Sequence, residues 1–239
     1  MPYSYRRRRV SGVIISLVIL TILLLGGALQ APQGQNVAPT SDLRPAPAAT
    51  TVPSDALETL KLLSVKGRAP KTDYSREQFG SGWAIINGCD MRNIILNRDL
   101  VAVEIDDTCK VIKGTLNDPY TGQIIQFVRG ADTSADVQID HVIALSDAWQ
   151  KGAQQLSSQQ RAELANDPLE LLAVDGAANQ QKSDGDAATW LPPNKAFRCQ
   201  YVARQIAVKH KYSLWVTPAE FDAMSDVLQA CPAQTLPKA

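Results

Sequence analysis

The N-terminal part of the sequence limits most strongly what this chain can fold into. The opening residues, MPYSYRRRRV, contain four arginines, and an uncharged apolar stretch from Val10 to Leu29 follows them. Positive charge followed by apolar residues is the order of an export signal. The stretch is also as long as a helix that spans a bilayer, about 20 residues. Residues 1–30 are therefore predicted to be either a signal peptide, cleaved near Ala28 or Ala31, or a signal anchor that contacts the membrane. In both cases the remaining chain is predicted to fold outside the cytoplasm.

A proline-rich segment, residues 31–54, follows the apolar stretch. It contains five of the 14 prolines of the chain, no aromatic residue and little charge. This composition predicts a flexible, partly extended linker. One globular domain, residues 55–239, then remains, and it is long enough to bury a hydrophobic core.

Four cysteines lie in this domain, at Cys89, Cys109, Cys199 and Cys231. An even number of cysteines in an exported chain predicts disulfides. Three pairings are possible, and we favour the sequence-local one, Cys89 with Cys109 and Cys199 with Cys231. A zinc site is the weaker interpretation, because no two cysteines have the close C-x-x-C spacing of structural zinc sites.

Capping residues, apolar periodicity and turn chemistry predict helices and strands in no regular alternation. Helices are predicted within residues 54–65, 88–100, 146–153, 157–167, 194–214 and 217–230. A β-hairpin is predicted within residues 109–130, and further strands within 137–145 and 169–174. We expect Ser146 to cap the third of these helices and Thr217 the last. This mixture predicts an α+β fold rather than repeated βαβ units.

One predicted strand carries an acidic residue and a histidine within an apolar run, in QIDHVIALSDAW. Because an ionised carboxylate inside a core must be paired or bound to a metal, something should compensate Asp140. Taken alone, a histidine such as His141 in this setting is more often a hydrogen-bonded structural residue than a catalyst. Downstream, LELLAVDGAANQQKSDGD supplies Asn179, Lys182 and Asp184. Carboxylate and amide oxygens suit Mg²⁺, so the pattern predicts a divalent ion between Asp140 and Asn179, with His141 beside it.

An ordered set of motifs in the chain resembles the HNH endonucleases. The motifs are CDMRNIILNRDL, DPYTG, IQFVRG, QIDHVIALSDAWQKGA, LAND, NQQKSDGD and WLPPN, spread from about Ser75 to Leu228. The set is most similar to exported bacterial members related to the C-terminal domain of GmrSD-type restriction enzymes. The resemblance implies a ββα-metal core, here with added helices and a β-hairpin, in which two strands and a helix hold one metal ion.

The resemblance also implies roles for individual residues. His141 would be the general base that takes a proton from water, since a pKa of about 6.5 suits proton transfer near neutral pH. Asp140 and Asn179 would bind the metal ion, Mg²⁺ or Mn²⁺, which neutralises charge on the phosphate. Lys182 would contact a phosphate oxygen. The substrate would be DNA, or also RNA, and the protein would act as a monomer.

One position departs from the family pattern. The family has an asparagine just before the second strand, in an Asn-Leu pair whose amide holds the loop that carries the histidine. This chain has Glu170 there. Glu170 or the nearby Asn166 could take over this role, or the loop could be looser. For Asn166 the competing interpretation is a residue at the end of a helix.

Other charged and aromatic residues carry weaker signals. Charges balance, with 24 Lys+Arg and 24 Asp+Glu, so composition indicates neither a nucleic-acid nor a membrane partner. A basic stretch without acidic residues is the best local candidate for a phosphate-binding surface, although helical spacing places its members on opposite sides. The stretch contains Lys195, Arg198, Arg204, Lys209 and Lys211. His210 is a weak catalytic candidate, and Trp149 and Trp190 are interpreted as core residues.

Two alternatives to a nuclease stay open at this point. The first is a non-catalytic protein with the same fold that binds a partner in the cell envelope, and the Glu170 departure is its main support. The second is a hydrolase of another exported substrate. The chain contains neither a Gly-x-Ser-x-Gly nor a His-Glu-x-x-His motif, which excludes the common esterase and zinc-protease signatures.

Overall fold

The computed structural model describes residues 55–237. The signal segment and the linker predicted for residues 1–54 lie outside the described residues. Between residues 55 and 237, no helix combines the length and the hydropathy needed to cross a membrane. The described part is a mixed α+β fold with seven α-helices and three small antiparallel sheets.

The helices alternate irregularly with the strands along the chain. The helices are α1 (Ala56–Leu60), α2 (Met91–Asp99), α3 (Leu145–Gln150), α4 (Ser158–Ala165), α5 (Gly176–Lys182), α6 (Arg198–Lys211) and α7 (Pro218–Gln229). The strands are β1 (Ile85–Ile86), β2 (Cys89–Asp90), β3 (Leu100–Ile105), β4 (Val111–Asn117), β5 (Ile124–Val128), β6 (Val137–His141) and β7 (Leu171–Asp175). The predicted α+β class is confirmed.

Side-chain caps explain where several helices begin. Ser157 and Gln160 form a capping box at α4, and Thr217 and Glu220 form another at α7, as the sequence predicts for Thr217. The prediction for Ser146 is wrong, because α3 begins one residue earlier and has no side-chain cap. The Ser146 hydroxyl instead donates to the carboxylate of Asp184, 3.1 Å away.

The predicted hairpin is confirmed as β4 and β5, and β3 adds a third strand that the sequence analysis does not predict. Apolar residues on the inner face of this sheet, Leu100, Leu116 and Phe127, are buried against α2 and the inner face of β6 and β7. A larger core lies elsewhere, where α6 and α7 pack with α1, α3 and α4. Burial of these two apolar clusters is the main stabilising term of the fold.

The β6–β7 pair lies between the two cores and leads directly into α5. The strands are antiparallel, with Asp140 opposite Leu172 and His141 opposite Leu171. Ile139 contributes to one core, whereas Leu172 contributes to the other. At the junction with α5, a Cβ atom on Gly176 would lie 2.1 Å from a backbone oxygen, so only glycine fits. Gly176 therefore allows α5 to begin in close contact with the backbone that precedes β6.

Two disulfides join distant elements of the described chain. Cys89 of β2 is bonded to Cys109, in the turn between β3 and β4. Cys199 of α6 is bonded to Cys231, just beyond α7. This is the sequence-local pairing. In chain-entropy models, a disulfide that closes a loop of this size stabilises the folded state by about 3 kcal/mol.

Candidate active site

Asp140 is buried at the end of β6, and its charge is compensated by a lysine. Lys182 Nζ donates to Asp140 Oδ1 over 2.9 Å and to the carbonyl of His141 over 2.7 Å, while the Tyr120 hydroxyl donates to Asp140 Oδ2. Burial raises the pKa of Asp140, and the charge of Lys182 and the hydrogen bond from Tyr120 oppose this rise. The compensation expected for a buried carboxylate is therefore present.

The position of Lys182 corrects its predicted role as a phosphate contact. Its side chain is fully buried on the inner side of α5, where Asp140 and the carbonyl of His141 hold the ammonium group. Lys182 does not line the cavity that contains His141 and Asn179. The physical reason is that the buried Asp140 requires a cation, and Lys182 is the one that supplies it.

His141 is held by a backbone carbonyl and an aromatic ring. Its Nε2 lies 3.0 Å from the carbonyl oxygen of Ala165 at the end of α4. Because a carbonyl oxygen only accepts, the contact assigns the proton of the neutral ring to Nε2 and leaves Nδ1 as an acceptor. The ring of Trp83 stacks on the imidazole, with the centroids 5.8 Å apart and the planes at 4°.

The electrostatic environment keeps His141 neutral. Burial, the nearby charge of Arg76 and that of Lys182 lower its pKa to about 3, although the hydrogen bond to Ala165 opposes this. At neutral pH the ring is therefore unprotonated, which is the form that can accept a proton.

Glu170 holds the loop that follows His141. Its backbone oxygen accepts from the N–H of Val142 over 2.9 Å. Its carboxyl oxygens lie 3.2 and 3.3 Å from the N–H of Ile143. Glu170, which stands where the family pattern has an asparagine, therefore binds the loop after His141 through its backbone and its side chain.

Asn166 has a different role from Glu170. It ends α4, as the competing interpretation predicts, and its Oδ1 accepts from the N–H of Ala84 over 2.7 Å. This hydrogen bond fixes the backbone next to Trp83, the ring that stacks on His141. The end of α4 therefore positions His141 in two ways. The carbonyl of Ala165 contacts the ring directly, and Asn166 fixes the backbone next to Trp83, which stacks on it.

Glu170→Gln should become increasingly more stable than the wild-type protein as the pH rises. Burial raises the pKa of Glu170 well above its usual value of 4.5. Because the folded protein binds this proton more tightly than the unfolded chain, the group contributes its full stabilisation below pH 4.5. This stabilisation is lost as the pH rises toward the folded-state pKa. Glutamine keeps an acceptor for Ile143 but cannot ionise. Urea unfolding of both proteins at acidic, neutral and alkaline pH measures the difference, and a difference independent of pH would contradict the expectation.

Asn179 shares a cavity with Asp140 and His141. The cavity has a volume of about 410 Å³, and Lys71, Arg76, Ser146 and Asp184 also line it. Asn179 lies on α5, and its Nδ2 donates to Gln138 Oε1 over 2.9 Å. Its Oδ1 accepts no hydrogen bond within the described part of the chain. Three of the four residues that the sequence places at the site therefore line one cavity, and the fourth, Lys182, contacts Asp140 from its buried side.

The cavity contains oxygen donors of the kind that bind hard divalent cations. Among residues 55–237 no group of three His, Cys, Asp or Glu residues could hold a metal ion. The oxygen donors that line the cavity include the carboxylates of Asp140 and Asp184 and the amide oxygen of Asn179. Asp140 Oδ1 accepts from Lys182 and Oδ2 from Tyr120. Mg²⁺ accepts such a small set of oxygen ligands because it keeps several waters.

The predicted basic surface is not formed. Lys209 is buried against Glu220, Lys211 bonds to Asp167, and Arg204 donates to the carbonyls of Leu169 and Leu171. Arg198 donates to the carbonyl of Pro192, and the exposed members are Lys195 and Lys211. The prediction was wrong because four of the five cations bond to protein acceptors, and only Lys195 and Lys211 are exposed.

The remaining candidates lie at the edge of the site or away from it. Asp184 is exposed at the rim, where it accepts from Ser146 and lies 3.4 Å from Lys71 Nζ. His210, in the last turn of α6, lines neither of the two cavities that contain His141. Trp149 is buried in the larger core and Trp190 is packed against it, as predicted.

Two residues next to His141 were not predicted from the sequence. Trp83 stacks on its ring, and Arg76 lines the cavities on both sides of it. Both belong to the segment REQFGSGW, which precedes the first strand. An aromatic residue and an arginine flanking a glycine-rich turn were the available signal, but neither residue is close to His141 in sequence.

Comparison with known proteins shows the class to which this fold and site belong. The family model described as "GmrSD restriction endonucleases, C-terminal domain" matches residues 91–227, a range that contains β6, β7 and α5. The chain belongs to this family, which confirms the resemblance seen in the sequence. It is also similar to an "Uncharacterized secreted protein" of Arthroderma benhamiae (strain ATCC MYA-4681 / CBS 112371). The two are 36% identical over 192 residues, which cover 78% of this chain and 91% of that protein. No solved structure matches the chain.

Proposed function

We propose that the protein is an exported, divalent-metal-dependent nuclease that hydrolyses phosphodiester bonds in DNA, with RNA as a second substrate. The observation that carries the proposal is the shared cavity of Asp140, His141 and Asn179, in which His141 is neutral and held through Nε2. Membership of a family named for restriction endonucleases supports a nuclease-related function.

We assign β6, β7 and α5 to the ββα-metal core of the HNH endonucleases. The antiparallel strand pair and the helix that follows it carry the three residues at the positions that the resemblance implies. Asp140 and His141 end the first strand of the core, and Asn179 lies on its helix. The Cys89–Cys109 disulfide and the remaining helices are additions around this core.

In the proposed mechanism His141 activates water. The unprotonated Nδ1 takes a proton from a water molecule, whose oxygen forms a bond to phosphorus while the bond from phosphorus to the leaving oxygen breaks. The leaving oxygen then takes a proton from solvent. Asp140 and Asn179 would hold Mg²⁺ or Mn²⁺, which supplies positive charge that stabilises the phosphate oxygens and the leaving oxygen. Lys182 positions Asp140, and Glu170 positions the loop after His141.

The proposed location is outside the cytoplasm. Three observations support it: the charged-then-apolar N-terminal sequence, two disulfides, and a relative described as secreted. The N-terminal segment would either be removed or hold the protein at the membrane. We propose that the protein acts there as a monomer.

The non-catalytic alternative loses its main support. It rested on the replacement of the family asparagine by Glu170, which would leave the loop after His141 loose. Glu170 instead binds that loop through its backbone oxygen and its side chain.

Removal of divalent metal tests the proposal. The purified protein should nick or degrade supercoiled plasmid with Mg²⁺ or Mn²⁺, because Asp140 and Asn179 provide oxygen ligands for either ion. EDTA should stop the reaction, and an excess of Mg²⁺ should restore it. Agarose electrophoresis of a time course measures both effects. Cleavage that continues unchanged in EDTA would contradict metal dependence, and binding without cleavage under every metal condition would favour the non-catalytic alternative.

A further inference from the structure

Arg76 differs from the other arginines of residues 55–237. Its guanidinium forms no hydrogen bond or ion pair with other residues of that range, and its side chain is exposed. The seven other arginines of the range all donate to protein oxygens. They are Arg68, Arg92, Arg98, Arg129, Arg161, Arg198 and Arg204. Because arginine readily finds protein acceptors, a free guanidinium beside a cavity is available for an external anion.

Arg76 lies beside His141, the proposed general base. One cavity, of about 410 Å³, contains Asp140 and Asn179, and a second, of about 230 Å³, contains Trp83 and the Gly80–Gly82 turn. Arg76 and His141 line both cavities. A nucleic-acid strand bound next to His141 would therefore also lie next to Arg76.

None of the charged groups near Arg76 in the described part of the chain forms an ion pair with it. Lys71, the other cation in the larger cavity, lies 3.4 Å from the Asp184 carboxylate. Asp140 is paired with Lys182. Hydrogen bonds from its own backbone and from Ser75, together with the charge of Arg76, lower the pKa of the Glu77 carboxyl, but the two side chains form no ion pair. Arg76 is therefore a cation that lines both cavities and is not held in an ion pair within residues 55–237.

We propose that Arg76 binds the scissile phosphate, holding the phosphodiester over His141 and opposing the negative charge that builds on its oxygens. The inference rests on the proposed nuclease function. A planar guanidinium can donate two parallel hydrogen bonds to phosphate oxygens, which fixes the orientation of the group as well as its position. This assigns to Arg76 the phosphate contact that the sequence analysis gave to Lys182.

Two variants of Arg76 and one control test the proposal in the full chain. Arg76→Gln removes the charge, Arg76→Lys keeps it without the planar fork, and Lys110→Gln removes an exposed charge outside both cavities. Cleavage of a fluorescent oligonucleotide gives kcat/KM. Fluorescence anisotropy in a His141→Ala background gives the affinity for the same oligonucleotide over a range of salt concentrations.

We expect Arg76→Gln to lower kcat/KM by about 10²-fold, the effect of removing one donor from a developing negative charge. The slope of log affinity against log salt should become shallower by about 0.7 to 0.9, the value for one lost phosphate contact. Arg76→Lys should recover part of the rate and the full salt slope, and Lys110→Gln should match the parent protein in both measurements.

An unchanged salt slope in Arg76→Gln would overturn the proposal, because a purely structural role does not alter the number of phosphate contacts. Equal losses of activity and melting temperature in Arg76→Gln and Arg76→Lys would overturn it as well. If the wild-type protein binds the oligonucleotide but never cleaves it, the nuclease function fails. The salt slope of Arg76→Gln then still decides whether Arg76 binds phosphate.

Discussion

His141→Ala is expected to lower kcat for DNA cleavage by about 10²- to 10⁴-fold, the usual contribution of a positioned general base. The expectation follows from the imidazole geometry: Nε2 is committed to the carbonyl of Ala165, and Nδ1 is left to take a proton. Single-turnover cleavage of a labelled oligonucleotide with saturating Mg²⁺ measures the chemical step.

The second histidine of the chain provides the matched control. His210→Ala removes the same side chain from the last turn of α6, away from both cavities that contain His141. It should cleave at the wild-type rate. Equal rates for the wild type and His141→Ala, or equal losses in both variants, would contradict the assignment of the base.

Lys151→Ala is expected to lower the free energy of unfolding by about 3–5 kcal/mol, the cost of breaking a buried ion pair from one side. Lys151 Nζ has no solvent exposure and lies 2.8 Å from Asp147, 2.7 Å from Asp186 and 2.7 Å from Glu220. Lys209 and Arg68 complete the cluster. Alanine would leave three buried carboxylates with two cations.

Urea unfolding of the wild type and Lys151→Ala measures this loss. Lys61→Ala is the control, because Lys61 pairs with Glu58 on the exposed surface and such pairs contribute about 0–1 kcal/mol. A Lys151 variant as stable as the Lys61 variant would show that the cluster contributes little net stability.

Local chemistry made much of this fold predictable. Capping residues and turn residues act on neighbours a few positions away, so the hairpin and the start of α7 follow from short stretches. The pair Asp140 and His141 was also recognisable, because a charged residue in an apolar strand requires a partner. The helix predicted over 54–65 formed only as Ala56–Leu60, which packs against α6 and α7.

The partners of buried charges could not be predicted in the same way. Lys182 and Asp140 are 42 residues apart, and Lys151 meets Glu220 across 69 residues. A lysine in a helix is interpreted as solvated unless the tertiary fold is known, which is why Lys209 was assigned to a phosphate-binding surface. Arg76 was missed for the converse reason: its significance is that it lacks a partner in the folded domain, and a sequence does not reveal this.

The most direct test of the nuclease assignment is a time course of supercoiled plasmid with Mg²⁺, run side by side for the wild-type protein and His141→Ala purified in the same way. We expect the wild type to convert the plasmid to nicked and then smaller forms while the variant leaves it supercoiled. Conversion at the same rate by both proteins, or by neither, would contradict hydrolysis at the cavity of Asp140, His141 and Asn179.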